Sequence, residues 1–409
     1  MKHATPIWLA PIAAILTLQT TSSFLSRLIP IITPAASEEF GWSASAVGYF
    51  TASNSFGSLA ILLAGTTLLK KIGGMRSLQL TLVLGAACLG LFLTPSVAVV
   101  LAACFAMGLS NGVANPAGSE VLLRFSPPGK RNLMFSIKQA GVPLGGIVAG
   151  LAIPVVVTMW GWRPALIVCA LIVLIPSLFT WSVSASLDGI NEKVRGLIHI
   201  PTWQSFRNLA VPLASLINGP GLFKMSVVGC LFAVAQSCWF TFTVVYLVNV
   251  LGYSLGLAGA VFAVMQTGGV LGRIVLGWIS DYVGSARATL SFTAVVSAST
   301  TVLMGLTDPT WPVWTVMLLS FVAGGSAASW NGVQIAEVAR RSPSHQVSET
   351  AAGASILVNL VNMVAPTCFA FYVALSARYD HAFMGAGLCT LLVLAVIPKD
   401  KRGANASAS

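Results

Sequence analysis

Apolar stretches recur along the whole chain, separated by short clusters of Gly, Pro and charge, and each is continuously apolar rather than alternating. A run of about 20 such residues is the length of a helix that crosses a bilayer, and in lipid a helix satisfies every backbone hydrogen bond within its own segment. The pattern predicts twelve spans, at 7–33, 44–69, 77–94, 97–123, 133–159, 163–184, 225–249, 255–279, 288–306, 312–338, 349–376 and 381–397. Polar sequence of any length occurs once, from 185 to 224, with Asp188, Glu192, Lys193, Arg195 and Arg207. It divides the chain into an N-terminal half, 1–184, and a C-terminal half, 225–409. The expected fold is an all-α membrane protein of twelve transmembrane helices in two six-helix pseudo-symmetric halves.

The halves repeat each other. Residues 41–76 align without a gap on 252–287, pairing Gly41/Gly252, Gly48/Gly259, Gly57/Gly268, Gly73/Gly284 and Arg76/Arg287. A second block pairs Gly108/Gly324, Ser110/Ser326, Asn115/Asn331, Arg124/Arg340 and Pro127/Pro343. The second span thus repeats as the eighth and the fourth as the tenth, an architecture that puts a central site near the midplane where the halves face each other.

Composition agrees: 56% of the 409 residues are hydrophobic and 8% charged, against about a quarter charged in soluble domains. The net charge of +11 is scattered singly between spans instead of lying on one face, which excludes a nucleic-acid partner and points to membrane orientation. Arg27 and Arg273 lie inside spans and Arg163 and Arg378 in loops on one side; every other Lys and Arg falls on the side of the termini and the central loop. The positive-inside rule then places both termini in the cytoplasm and the chain in a bacterial-type inner membrane. Lys2 and the run after it look like a signal peptide, but the run is too long, and Arg27 interrupts it; it is expected to remain as the first span. The seven cysteines sit in apolar stretches with no metal-type spacing, and the four histidines in termini or loops, so neither a metal site, a cofactor nor a catalytic triad is expected. With no glycine-rich phosphate loop, any transport would draw on a gradient instead of nucleotide hydrolysis.

Gly277, Asp281, Gly284 and Arg287, in GWISDYVGSAR, resemble motif A of the major facilitator superfamily. That resemblance implies twelve spans, two halves rocking about a shared cavity, and no enzymatic activity. GVPLGG at Gly141 to Gly146 is similar to the glycine and proline pattern of the fifth span in many members. The first copy of motif A departs from the pattern, with Lys70 at the acidic position and Thr66 where glycine is expected, while the same offset pairs Lys138 with Glu349. Opposite charges have been exchanged between halves. Lys70 or Lys71 with Glu349, and Asp281 with Arg131 or Lys138, are therefore expected as pairs that close the cytoplasmic gate. FLSRLIPIITPAASEEFGWS resembles the first helix of the anion:cation symporter family, with Arg27 at its arginine and Ser26 at its acidic place. Arg273 is placed like the eighth-helix arginine of oxalate:formate antiporter and monocarboxylate transporter relatives.

An arginine mid-span costs about 2.5 to 3.5 kcal/mol on the insertion scale, so Arg27 and Arg273 need a reason. Snorkelling or pairing with a helix carbonyl is one, and weighs more for Arg273; an ion pathway is the other, and is favoured for Arg27. All eleven acidic residues lie in loops or near span ends, Glu120 and Glu337 being closest to the interior, so the deep cavity is cationic and suits an incoming carboxylate. By the family resemblance spans one, four, seven and ten line the cavity, which nominates Gln19, Thr20, Ser23, Asn111, Asn115, Gln236, Trp239, Trp330, Asn331 and Gln334. Asn and Gln serve equally as interhelical hydrogen bonds, and Trp as filler. The expected function is secondary active transport of a small organic anion, a monocarboxylate or related carboxylate, by a monomer in the bilayer, with protons as the candidate coupling ion. Export of a drug-like or neutral solute on the same fold is the alternative.

Overall fold

A computed structural model of the protein describes residues 9–399 apart from 44, 65–71, 126–130, 189–209 and 344–345. At Asn115, Glu120 and Arg131 the description stops at the backbone. The first half contains α1 (Leu9–Phe40), α2 (Ala46–Ala64), α3 (Gly74–Leu93), α4 (Val97–Phe125), α5 (Arg131–Trp160) and α6 (Trp162–Phe179). The second contains α7 (Leu222–Asn249), α8 (Leu255–Val283), α9 (Ala286–Gly305), α10 (Val313–Arg341), α11 (Val347–Ser376) and α12 (Tyr379–Val396). Among the described residues eleven helices are long and apolar enough to cross a membrane; α2, whose described part ends at Ala64, is outside that count. Most of the expected central loop falls in 189–209, outside the described residues, between short helices Trp181–Asp188 and Ala210–Ser215.

Packing is duplicated as the repeat requires. In the first half α1 lies on α5, α2 and α3 on α4, and α3 on α6; in the second α7 lies on α11, α8 and α9 on α10, and α9 on α12. The halves then exchange partners, α5 against α8 and α11 against α2, with α1 touching α7.

The glycines that recur in the sequence mark these crossings. A Cβ on Gly57 would collide with the Phe105 carbonyl and one on Gly108 with that of Asn54, where α2 crosses α4; Gly268 and Gly324 stand in the same relation to Phe321 and Met265 where α8 crosses α10. Backbone-to-backbone approach of this kind replaces the hydrophobic effect as the force that joins helices in lipid. Four of the repeated glycines work differently: Gly41 (φ 67°) and Gly252 (φ 69°) before α2 and α8, and Gly73 (φ 95°) and Gly284 (φ 66°) before α3 and α9, turn the chain in the left-handed region that side chains disfavour.

Helices α1 and α12 begin and end at one end of the bundle, the terminus end; Glu39, Arg163 and Asp308 mark the other, the distal end. At the distal end the halves are in contact. Gly48 of α2 abuts Ala370 and the Pro366 carbonyl of α11, and Gly150 of α5 meets Gly259 of α8. Nearer the terminus end a Cβ on Gly277 of α8 would meet nothing within 4 Å.

Candidate functional site

Two arginines approach the middle of the bundle, one from each half, close enough for their charges to repel. Among the described residues no carboxylate pairs with either. Arg27 of α1 lays its guanidinium over the Phe240 ring of α7, 3.7 Å from the ring centroid. The ring face attracts the cation but accepts no conventional hydrogen bond, and Nε of Arg27, like Oγ of Ser26, is buried without a partner. Arg27 therefore has donors to offer.

Arg273 of α8 is held otherwise. One guanidinium nitrogen donates to the Gln139 carbonyl of α5 at 2.8 Å and the other to the Ala328 carbonyl of α10 at 3.5 Å. The first acceptor is available because Pro143, inside α5, has no N–H to return to the residue four positions earlier. The second lies where α10 is interrupted, between its segments Val313–Ala327 and Asn331–Arg341. Carbonyl dipoles thus satisfy the hydrogen bonds of Arg273 without cancelling its charge.

Buried amides stand on the same helices, α1 and α8, and on α5. Gln19 has its Oε1 unpartnered and packs on Gly141, and Gln266 has its Nε2 unpartnered against Gly146; both are almost wholly buried. Oε1 of Gln139 is also without a partner. Sequence reasoning missed Gln139, Gln266 and Phe240. A signal existed: Gln266 and Arg273 are seven apart on α8, as are Gln139 and Gly146 on α5, so each pair shares a face and the faces meet.

The remaining nominated residues divide. Gln236 donates to Asn331 at 3.3 Å and Gln334 to the Met225 carbonyl at 3.2 Å, tying α7 to α10 beside Trp330, which stacks on Phe232. Asn111 is half-buried on α4, and the side chain of Asn115 lies outside the described residues. Ser23 donates to the Val142 carbonyl at 2.6 Å and fastens α1 to α5. Trp239 is turned away from the two arginines: its indole donates to Thr301 of α9 at 2.9 Å, within the core of the second half. Thr20 lines an apolar groove between α1, α5 and α6.

Of the expected gate charges, Lys70 and Lys71 fall outside the described residues, as does the side chain of Arg131. Asp281 and Glu349 are exposed, with no ion-pair partner among the described residues. Lys138 is buried and donates to Ser119 at 3.0 Å in its own half, packed on Gly118. Glu337 is held by Arg340 and by buried Arg341, at 2.7 and 2.6 Å.

Two helical halves meeting across a polar, cationic cluster at mid-depth form the architecture of a membrane transporter. Residues 12–366 match the family model of the Major Facilitator Superfamily, and the chain belongs to that superfamily. It is similar to an uncharacterized MFS-type transporter of Mycobacterium tuberculosis, 25% identical over 295 residues that cover 72% of this chain and 62% of the relative. The 4-hydroxybenzoate transporter PcaK of Pseudomonas aeruginosa is 25% identical over 61% of each chain, and the ascorbate transporter of Arabidopsis thaliana chloroplasts 32% identical over 40% of this chain and 32% of its own. The chain thus spans about three-fifths of the length of the first of these. Among solved structures a POT family transporter superimposes with a TM-score of 0.74 at 12% identity, covering 97% of this chain and 96% of its own. An inward-facing, unoccupied bacterial homolog of the lysosomal transporter Spinster gives 0.71 at 14%, covering 96% of both. The fold is shared with both. The family and these relatives are transporters, and the chain is an integral membrane protein of that superfamily.

Proposed function

We propose that the protein carries a small organic anion, a monocarboxylate or related carboxylate, across the inner membrane by alternating access, with Arg27 as principal anchor and Arg273 supplying the second positive charge. The observation that carries this reading is a deeply placed guanidinium that lies over an aromatic face and whose Nε has no partner among the described residues. A carboxylate fits that vacancy, since it accepts two parallel hydrogen bonds and neutralises a charge the protein leaves uncancelled. Names borne by relatives point the same way: one transports 4-hydroxybenzoate, one ascorbate, and one is a probable anion transporter. With termini in the cytoplasm, as the basic residues indicate, we read the distal contacts as those of an inward-facing form.

Of the candidate proton carriers, Glu337 is already engaged by two arginines and the side chain of Glu120 lies outside the described residues; we assign the coupled proton to the substrate carboxylate itself. Flux of a panel of carboxylates into vesicles containing the purified protein, with and without a pH gradient, tests the whole reading. Saturable carboxylate uptake that Arg27→Ala removes is expected. Uptake or competition confined to neutral solutes or lipophilic cations would overturn it and put the exporter alternative in its place. Impermeant labelling of single cysteines in 189–209 from outside intact cells would overturn the orientation.

A further inference from the structure

Among hydrogen bonds between described residues, the one from Arg273 to Gln139 alone joins the two halves. It lies on the α5 to α8 seam, nearer the terminus end than Gly150 against Gly259 and Gly146 against Gln266. Its acceptor exists because of a proline. A regular helix would commit the Gln139 carbonyl to the N–H of residue 143; Pro143 supplies none, and in lipid a freed carbonyl must find another donor or remain costly. The donor it finds is on the other half. Arg273 in turn makes its remaining contact at the interruption of α10, so a cation from one helix is held at two breaks in two others.

We propose that Pro143 is a positioning residue for alternating access: by freeing the Gln139 carbonyl it lets Arg273 pin the first half to the second, and the pin favours the distal-closed form. The role of Arg273 here is mechanical, and it explains a half-buried arginine that no carboxylate among the described residues neutralises. The device is independent of which solute is carried.

A double-mutant cycle read by distance tests it without any substrate. Spin labels at Ser96→Cys and Pro309→Cys, exposed on the distal ends of the two halves, report open and closed populations in a background lacking the seven native cysteines. Arg273→Ala should raise the open-to-closed ratio roughly tenfold, since a hydrogen bond from a charged donor is lost. Pro143→Ala restores an N–H that shares the carbonyl and should raise it roughly threefold; Pro143→Ser supplies the same N–H should the alanine variant fold poorly. Arg273→Lys keeps one donor and should stay near the parent. In the Arg273→Ala background Pro143→Ala should add nothing, the non-additivity expected of one shared bond. An equal Pro143 effect with and without Arg273 would reduce the proline to a kink, and an unchanged population in Arg273→Ala would remove the pin. Either result leaves the anchor role of Arg27 to be judged separately, by carboxylate flux.

Discussion

The first half brings to the centre an arginine with nothing to bond; the second brings one whose bonds are spoken for. Arg27 rests on the face of Phe240 with its Nε free, whereas Arg273 spends its donors on the carbonyls of Gln139 and Ala328. The same division recurs at the terminus end. Where the second half caps α9 with its own Ser285, the first caps α3 with Asp188, brought in from beyond α6 to accept the N–H groups of Met75 and Arg76 at 2.7 and 3.1 Å. Gly73 makes room for that carboxylate. Duplication therefore preserved the crossings and let the charges drift, and it is the charges that give the halves separate tasks.

Removing the free arginine should do most damage. Arg27→Ala should weaken carboxylate binding by about 3 kcal/mol, roughly a hundredfold, because two charge-assisted hydrogen bonds and their Coulombic attraction disappear together. Folded protein should still reach the membrane, as measured by its recovery as a monodisperse peak, since among the described residues no partner of Arg27 other than the Phe240 ring is left stranded. Unchanged anion affinity would erase the contrast between the halves.

Lysine sharpens the contrast, because it keeps charge and discards the planar fork. At position 27 the fork is what a carboxylate uses, so Arg27→Lys should lose about 1.4 kcal/mol, a tenfold rise in apparent KM for uptake. At position 273 a single donor reaching Gln139 is enough, and Arg273→Lys should change KM by less than about twofold. Equal sensitivity at both positions would mean that Arg273 is also a direct ligand.

Phe240→Leu asks how Arg27 is held while empty. A cation over an aromatic face is stabilised by about 1 kcal/mol when partly desolvated, so losing the ring should let the guanidinium wander and cost roughly fivefold in affinity. Phe240→Tyr and Phe240→Trp retain a face and should bind within about twofold of the parent, a rescue that a purely space-filling role for the ring would not predict for the larger tryptophan.

How far the sequence carried depended on what lipid makes legible. Repeated glycines made the two halves legible, and in the structure Gly57, Gly108, Gly268 and Gly324 stand at the α2 to α4 and α8 to α10 crossings, where close approach demands a missing side chain. Arg27 and Arg273 were visible because charge inside an apolar span is rare. Facing was much harder to read, since a helix apolar on every side has no polar stripe to orient it. Trp239 was expected at the cavity and instead serves the α7 to α9 core, and Thr20 lines a groove beside α6. The interruption of α10 at 328–330 was not expected, although Ser329, Asn331 and Gly332 stand around it within the tenth span. The prolines of α1 misled in the opposite sense: that span was ended at 33, yet the helix passes through Pro30 and Pro34 to Phe40, as membrane helices tolerate.

The smallest expected effect lies at the terminus end, where the halves differ in sign: Lys70 stands in the first repeat where Asp281 stands in the second, and Glu349 answers Lys138. In the distal-closed form Asp281 and Glu349 face outward, and Lys138 is occupied with Ser119. Our reading is that Lys70 or Lys71 meets Glu349, and Asp281 meets Arg131, only when the terminus end closes. Such pairs border water and contribute about 1 kcal/mol, enough to shift the balance of the two forms about fivefold. Lys70→Glu and Glu349→Lys should each slow uptake by about that factor, and the double reversal should recover part of it, because the attraction depends on opposite signs and not on which half carries which. The effect should fade as ionic strength rises and the exposed charges are screened. Alkylation of a single cysteine at Gly277, where a side chain meets no neighbour within 4 Å, reports the opening directly: faster in either single reversal, near the parent rate in the double. Singles that leave both the labelling rate and uptake unchanged would show that the exchanged charges do not touch in either form.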